Sequence, residues 1–326
     1  METSMRKRII FLLLLLSAVD QLYAAKTAYA IWCSGNKTLY FTYSNASLAK
    51  GGTYEGQTIT GLWSGDKVLR SGTSAPGWNM TVRETMERVV FAADFAEAKP
   101  ASLRSWFYFC TRLTRIEGLD HLNTASVTNM QSTFDSCSAL TQLDLSTFST
   151  SNVTTMNSMF ADCTQLASVR LDGFTTPKLE STFKMFANCV SLVSVDLSSF
   201  ATSSVSSMGY MFSGCSALRT IGVSSKWRTD RAVGQEMFEG CFSLVGGAGT
   251  QFNASHVDIA YAHIDGGEAN PGYLTGIEPS GIGETTERTG SRSGIAYDLR
   301  GMRVANPLHK LCIINGKKVA AGRNKK

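Results

Sequence analysis

Along the middle of the chain a phenylalanine stands three residues before a cysteine at Phe107/Cys110, Phe134/Cys137, Phe160/Cys163, Phe186/Cys189, Phe212/Cys215 and Phe238/Cys241. The cysteines are 27 residues apart once and 26 apart thereafter. Each is followed three residues on by a leucine: Leu113, Leu140, Leu166, Leu192, Leu218 or Leu244. The first five repeats continue to Ile116, Leu143, Val169, Val195 or Ile221, and the last four of those to Leu145, Leu171, Leu197 and Val223. A segment this short cannot bury its own apolar edge, so it folds only by stacking on copies of itself.

A 26-residue period containing Leu-x-x-(Leu/Val/Ile)-x-(Leu/Val) predicts an α/β solenoid, a leucine-rich-repeat stack of about six coils. In each coil the alternation at Leu143/Leu145 or Val195/Leu197 is expected to be a short strand with one buried face. Ser/Thr runs such as "STSNVTTMNSMF" are expected to lead into a short helical turn with Met156, Met159 and Phe160 inward. The strands holding Val90, Ile116, Leu143, Val169, Val195 and Ile221 should form one parallel sheet, about 4.8 Å apart.

Eight cysteines in an exported chain ordinarily suggest disulfides. Parallel side chains pointing into a core present sulfurs with the wrong torsion for bridging, so the ladder is read as buried free thiols. The methionines Met159, Met185, Met211 and Met237 read as core fillers rather than a metal series.

The ends differ from the body. "MRKRIIFLLLLLSAVDQLYAA" has the basic start, apolar run and small residues of an export signal over 1–25, too short to span a bilayer, which takes roughly 18 or more apolar residues. Residues 26–88 alternate apolar and polar with Gly breaks and read as a small β-rich N-terminal cap, 89–245 as the solenoid, and 246–275 as a closing cap. Within that last cap, His256, Asp258, His263 and Asp265 invite a metal reading, against a solvated surface in which they hold nothing. Residues 276–293 read as a linker, and 294–326 as a C-terminal β-hairpin module with its turn at Asn315-Gly316.

The net charge of +5 comes from 31 basic and 26 acidic residues, with basic clusters at the two extremities, so nucleic acid is a poor partner. No G-x-S-x-G, H-E-x-x-H or phosphate loop occurs, and the four histidines stand in different regions. The sequence therefore names no catalytic residue, cofactor or metal ligand. What it offers is a surface: Gln142, Asp144, Ser168, Arg170, Ser194, Asp196, Thr220 and Gly222 alternate with the buried strand positions and should form an outward binding face.

Repeat text such as "SNVTTMNSMFADCTQLASVRLDGF", with the opening "VVFAADFAEAKPASLRSWFYFC" and the cap "LVGGAGTQFNASHVDIAYAHIDGGEANPGYLT", resembles the BspA-like leucine-rich-repeat surface proteins of the Bacteroidetes. The C-terminal "YDLRGMRV…LCIINGKKV" resembles type IX secretion sorting tails, with Met302 and Cys312 departing from their usual Arg and Tyr. The resemblance implies a secreted, cell-surface or outer-membrane-associated module without enzymatic activity or a transmembrane segment in its mature form. Its expected partners are proteins or glycans on host or bacterial surfaces, met in adhesion or recognition. The alternative is a structural component of the cell envelope or fimbrial surface with no soluble ligand.

Overall fold

The computed structural model describes residues 25–69 and 75–277, and the backbone of four short strands between 296 and 319. The expected export signal and the linker from residue 278 onward lie outside the described residues. Two compact units are present, Met1–Ile277 and Glu278–Lys326.

The first unit opens with β1 (Thr27–Cys33) and β2 (Thr38–Ser44), an antiparallel pair rich in aromatic and β-branched residues. A small antiparallel ribbon follows, β3 (Thr53–Tyr54) with β4 (Gln57–Thr58), and then β5 (Gly61–Ser64) returns to the other edge of β1. Two short helices, α1 (Asp66–Leu69) and α2 (Gly77–Val82), precede β6 (Arg88–Phe91). The repeats supply β7 (Arg115–Glu117), β8 (Gln142–Asp144), β9 (Ser168–Arg170), β10 (Ser194–Asp196) and β11 (Thr220–Val223), and β12 (Leu274–Gly276) closes the unit.

The expected α/β leucine-rich-repeat solenoid is overturned on two counts. Among the described residues the repeats contain no α-helix; both α-helices precede them, and the rest of the helical structure is short 3-10 turns. Nor do the strands form one sheet. β6 and β7 join the N-terminal strands in the order β5-β1-β2-β6-β7, β8 pairs only with β9, and β10-β11-β12 form a third sheet. Strands of three or four residues supply too few ladder bonds to keep a sheet continuous by themselves.

The missing helix has a conformational cause. Two residues four apart in each repeat have positive φ, as at Ser132 and Ser136 (51° and 60°) or Ser158 and Asp162 (53° and 56°). A left-handed residue stops an α-helix, and two of them turn the segment into a flat double bend. Its amides then bond outward. Met130, Ser132, Phe134 and Ser136 donate to the carbonyls of Thr155, Asn157, Met159 and Ala161 in the next repeat, and the same set recurs in every repeat through Gly214. These bonds offset the roughly 1–2 kcal/mol that each left-handed non-glycine residue costs.

A third element of the stack is a column of buried threonines. Thr150 Oγ1 donates to the Thr175 carbonyl (2.9 Å) and accepts the Thr175 amide (2.9 Å), and Thr124, Thr176 and Thr202 make the same bracket to Ser149, Ala201 and Arg228. Inside, the repeat phenylalanines stack from Phe107 to Phe238 with neighbouring ring centroids 5.2–6.0 Å apart. Met156, Met159 and Phe160 are fully buried despite the absence of a helix. At one end Phe41 stacks on Trp106 (5.2 Å) and at the other Tyr273 meets Phe238 edge-on, so aromatic rings seal both ends of the column.

All seven cysteines of the described body are buried and unpaired. Each ladder thiol from Cys137 to Cys241 donates to a phenylalanine carbonyl of the preceding repeat at 3.0–3.1 Å. Burial pushes the Cys137, Cys163 and Cys241 thiols up, and Cys110 to about 12, so none is poised as a nucleophile.

The first repeat also corrects a register. Val89, not Val90, sits opposite Ile116, because this interval is 27 residues long. A one-residue shift exchanges the faces of a strand. Val89 is fully buried, while Val90 packs half-buried against a separate cluster with Ile31, Tyr40 and Ile59.

The second unit contains β13 (Ala296–Tyr297), β14 (Arg303–Val304), β15 (Cys312–Ile314) and β16 (Lys317–Val319) in one antiparallel sheet of order β14-β13-β15-β16. Ile314 pairs with Lys317, and Asn315 and Gly316, the expected turn, lie outside the described residues.

Candidate functional site

Gln142 and Asp144 of β8, Ser168 and Arg170 of β9, Ser194 and Asp196 of β10 and Thr220 of β11 are all exposed. Gly222 is not: it is buried, and a Cβ there would lie 2.4 Å from the Ile277 side chain. The closing strand covers this end of the face, so the alternating pattern stops presenting residues to solvent after Thr220.

The face is not uniform. Between β7 and β8 a cleft of about 600 Å³ opens, gathering Gln142, Asp144, Ser168 and Arg170 and leaving Ser194, Asp196 and Thr220 outside it. Its floor is apolar, with Leu143 buried and Ile116 and Leu119 half-buried. Arg115 and Asp120 stand on the near rim, a contribution that the strand alternation alone did not point to.

The cleft lies where this repeat is one residue longer than those that follow. The run from Ile116 to Thr124 exceeds that from Leu143 to Thr150 by one residue, and the chain uses it at Gly118, where φ is +70°. A side chain there would collide with the Phe91 carbonyl, its Cβ 2.2 Å from that oxygen. A 3-10 turn at Leu119–His121 follows, pinned by His121 Nδ1 at 3.0 Å from the same oxygen. No hydrogen bond crosses from residues 114–120 to 141–147. Backbone groups alternate sides along a strand. With Arg88 and Ala92 bonded toward β2, Val89 turns to β7 and takes the residues on either side of Ile116. With Thr141 and Leu145 bonded toward β9, the backbone groups of Ile116 and Gln142 are the ones that turn into the cleft. The 27-residue spacing was the signal that could have located it.

The rim is held by ion pairs. Arg170 Nη1 bonds Asp144 Oδ2 at 2.7 Å and its Nη2 bonds Asp172 Oδ2 at 3.1 Å. Asp144 Oδ1 also accepts the Ser146 hydroxyl (2.6 Å) and amide (3.0 Å). The hydroxyl bond, working against partial burial and helped by Arg170, holds the Asp144 carboxyl below the usual carboxylate range. On the other side Arg88 and Arg115 hold Glu117. Opposite charges alternate around an apolar floor, an arrangement suited to holding a surface of mixed polarity.

The residues that invited a metal reading are dispersed into structural tasks. Asp258 Oδ1 accepts the Glu236 amide (2.7 Å), taking the place of a next-repeat carbonyl at the end of the turn ladder. His256 stacks on Tyr261 (4.5 Å), and His263 Nδ1 lies 3.0 Å from the Ile264 carbonyl oxygen. Asp265 is not solvated as expected but only 7% exposed. It accepts the amides of Ala248 (2.8 Å), Thr250 (3.0 Å) and Gly267 (2.9 Å) and the Thr250 hydroxyl (2.7 Å). Burial opposes its ionisation, but these donors together outweigh burial and hold the carboxyl well below the usual range. Among the described residues no group of three His, Cys, Asp or Glu is placed to hold a metal ion.

Residues 101–227 and 171–270 match a family described as Mycoplasma protein of unknown function, DUF285, together just over half of the chain. The chain belongs to this family. The matched span takes in the whole cleft between β7 and β8 and the threonine column, so the family's shared text is the stacking unit itself. No curated protein and no solved structure matches the chain. Among the described residues no helix is long and apolar enough to cross a membrane.

Proposed function

We propose that the protein is an exported, cell-surface binding module without enzymatic activity, which engages macromolecules on host or bacterial surfaces through the strand face. The observation that carries this reading is the cleft between β7 and β8, with its apolar floor, ion-paired rim and backbone groups left without a protein partner. Such a place offers a partner both area to bury and main-chain groups to bond, the combination used when an extended segment docks at a strand edge. The likeness of the repeats to BspA-like surface proteins, and of the tail to type IX sorting tails, supports an extracellular setting.

The test is binding of the purified mature chain to immobilised host matrix proteins and to whole bacterial cells, beside Asp144→Arg, which sets a second cation against Arg170. Saturable binding weakened at least about tenfold by the substitution is expected, about 1.4 kcal/mol. No saturable binding, with the chain retained in the envelope, points to the structural alternative; binding indifferent to the substitution removes the cleft from the reading.

A further inference from the structure

The turn side of the stack carries a second groove, separate in its residues from the strand face. It has a volume of about 460 Å³ and runs from Tyr108 and Phe109 in the first repeat to Tyr210 in the fifth. Its floor includes Ala161 and Ala187, both buried, and its walls are the side chains that project from left-handed residues.

Both ends are aromatic. Phe109 is 43% exposed, with the Arg83 guanidinium 5.5 Å from its ring centroid. At the far end Tyr210 packs edge-on against Phe183 (5.7 Å), and Lys184 Nζ lies 5.2 Å from the Tyr210 ring centroid. Between the ends the groups are planar and polar. Asp135 accepts the hydroxyls of Ser132 (3.1 Å) and Ser136 (2.9 Å), and Asn188 Nδ2 donates to Asp162 Oδ1 at 2.9 Å. That leaves Asp162 Oδ2 and the Asn188 side-chain carbonyl with acceptor capacity.

We propose that this groove binds a short, uncharged sugar chain. Carboxylates and a carboxamide on adjacent rungs match the vicinal hydroxyls of a pyranose, each oxygen taking one hydroxyl proton. The ring faces at the ends match the C–H faces of a sugar, which are apolar while its edges are polar. The period fits too: successive rungs are separated by 5.2–6.0 Å at the phenylalanine stack, close to the rise of one ring in an extended glycan. A charged polymer of either sign is disfavoured because Asp135 and Asp162 are balanced by Lys184 and by Arg83 at the Phe109 end, and an apolar ligand by the polar middle. Burial raises the Asp135 carboxyl, in keeping with a group whose hydration a ligand could replace.

The experiment is calorimetric titration of the full mature chain with soluble gluco-, manno- and N-acetylglucosamine oligosaccharides of three to five sugar units. Tyr210→Gly and Asp162→Gly serve as variants, because φ at both positions (58° and 56°) suits glycine and the fold survives removal of the side chain. Saturable binding to at least one series, weakened at least about tenfold by each variant, is the expected result. Absence of binding across the panel, or affinity unchanged in both variants, overturns the proposal. So does equal loss, in the variants, of binding to a protein ligand before and after its enzymatic deglycosylation, since the groove would then be reading polypeptide.

Discussion

Along the turn side, the amide of every second residue in each double bend reaches the next repeat without interruption from Leu103 to Gly214; along the strand side, the ladder stops after Glu117 and again after Arg170. The same period produces both sides, and only the break after Glu117 coincides with an extra residue; the one after Arg170 falls at an interval of 26. The turn side spends its left-handed residues on four hydrogen bonds per repeat, with a phenylalanine column and thiol bonds behind them. The strand side has strands of three or four residues, paired in separate short sheets rather than bonded through every repeat. When the first repeat gained a residue, the turn side kept its register and the strand side parted. The cleft opens where bonding between repeats is least, while the turn-side groove lies on the most firmly bonded side.

The largest expected effect tests that division directly. Phe160 is fully buried between Phe134 (5.8 Å) and Phe186 (5.2 Å), and its carbonyl accepts the Cys189 thiol. Phe160→Ala should cost about 3–5 kcal/mol in urea denaturation, as for other large-to-small core changes. A loss below about 1 kcal/mol would mean that the column is not what holds the repeats together.

A second, intermediate effect separates the two sides by pH. Asp265 stabilises the loop whose backbone pairs with β12, which in turn ends the strand-side ladder on β11. Its folded carboxyl titrates below the unfolded one, so the unfolded chain binds more protons in acid and stability rises with pH. The contribution is complete above the unfolded value near 4 and is lost progressively as the pH falls below it toward the folded value. Hydrogen exchange at about pH 3 against pH 6 should show the amides of Gly222 and Leu274 opening ahead of those of Phe186 and Phe212, and Asp265→Asn should open them at both. Simultaneous loosening of both sides would dissolve the distinction.

Much of this was legible in the sequence. Phe160, Cys163, Leu166, Val169 and Leu171 read as core from their period alone, and all but Val169, which packs half-buried against the core, are buried; the outward strand residues through Thr220 read from alternation. The helix could not be excluded that way, because Ser158 and Lys184 carry no mark of a left-handed conformation, although Asp162, Asn188, Gly214 and Gly240 do. Nor did the strand pattern reveal where the ladder breaks. Pairing depends on the path of the chain outside the strands, here on Gly118 and the turn after it, and only the interval of 27 recorded that. The threonines were read as turn chemistry, whereas their spacing at Thr124, Thr150, Thr176 and Thr202 marks a column that bonds one repeat to the next.

The smallest effect on stability is expected at the cleft. Asp144 and Arg170 lie with 55% and 60% of their side chains exposed, so their pair is screened by water and worth little to folding. In Asp144→Ala, Arg170 keeps Asp172, while the Ser146 amide and hydroxyl turn to solvent. The change in unfolding free energy should stay within about 0.5 kcal/mol, measured beside Phe160→Ala under the same conditions. The rim geometry, by contrast, depends on this pair, because it holds the Arg170 guanidinium against Asp144 at the cleft's edge. Ligand binding at the strand face should therefore fall while the denaturation curve barely moves. If Asp144→Ala destabilises the chain as much as the core substitution, the strand side is structural after all, and the ion pair belongs to the framework rather than to a binding surface.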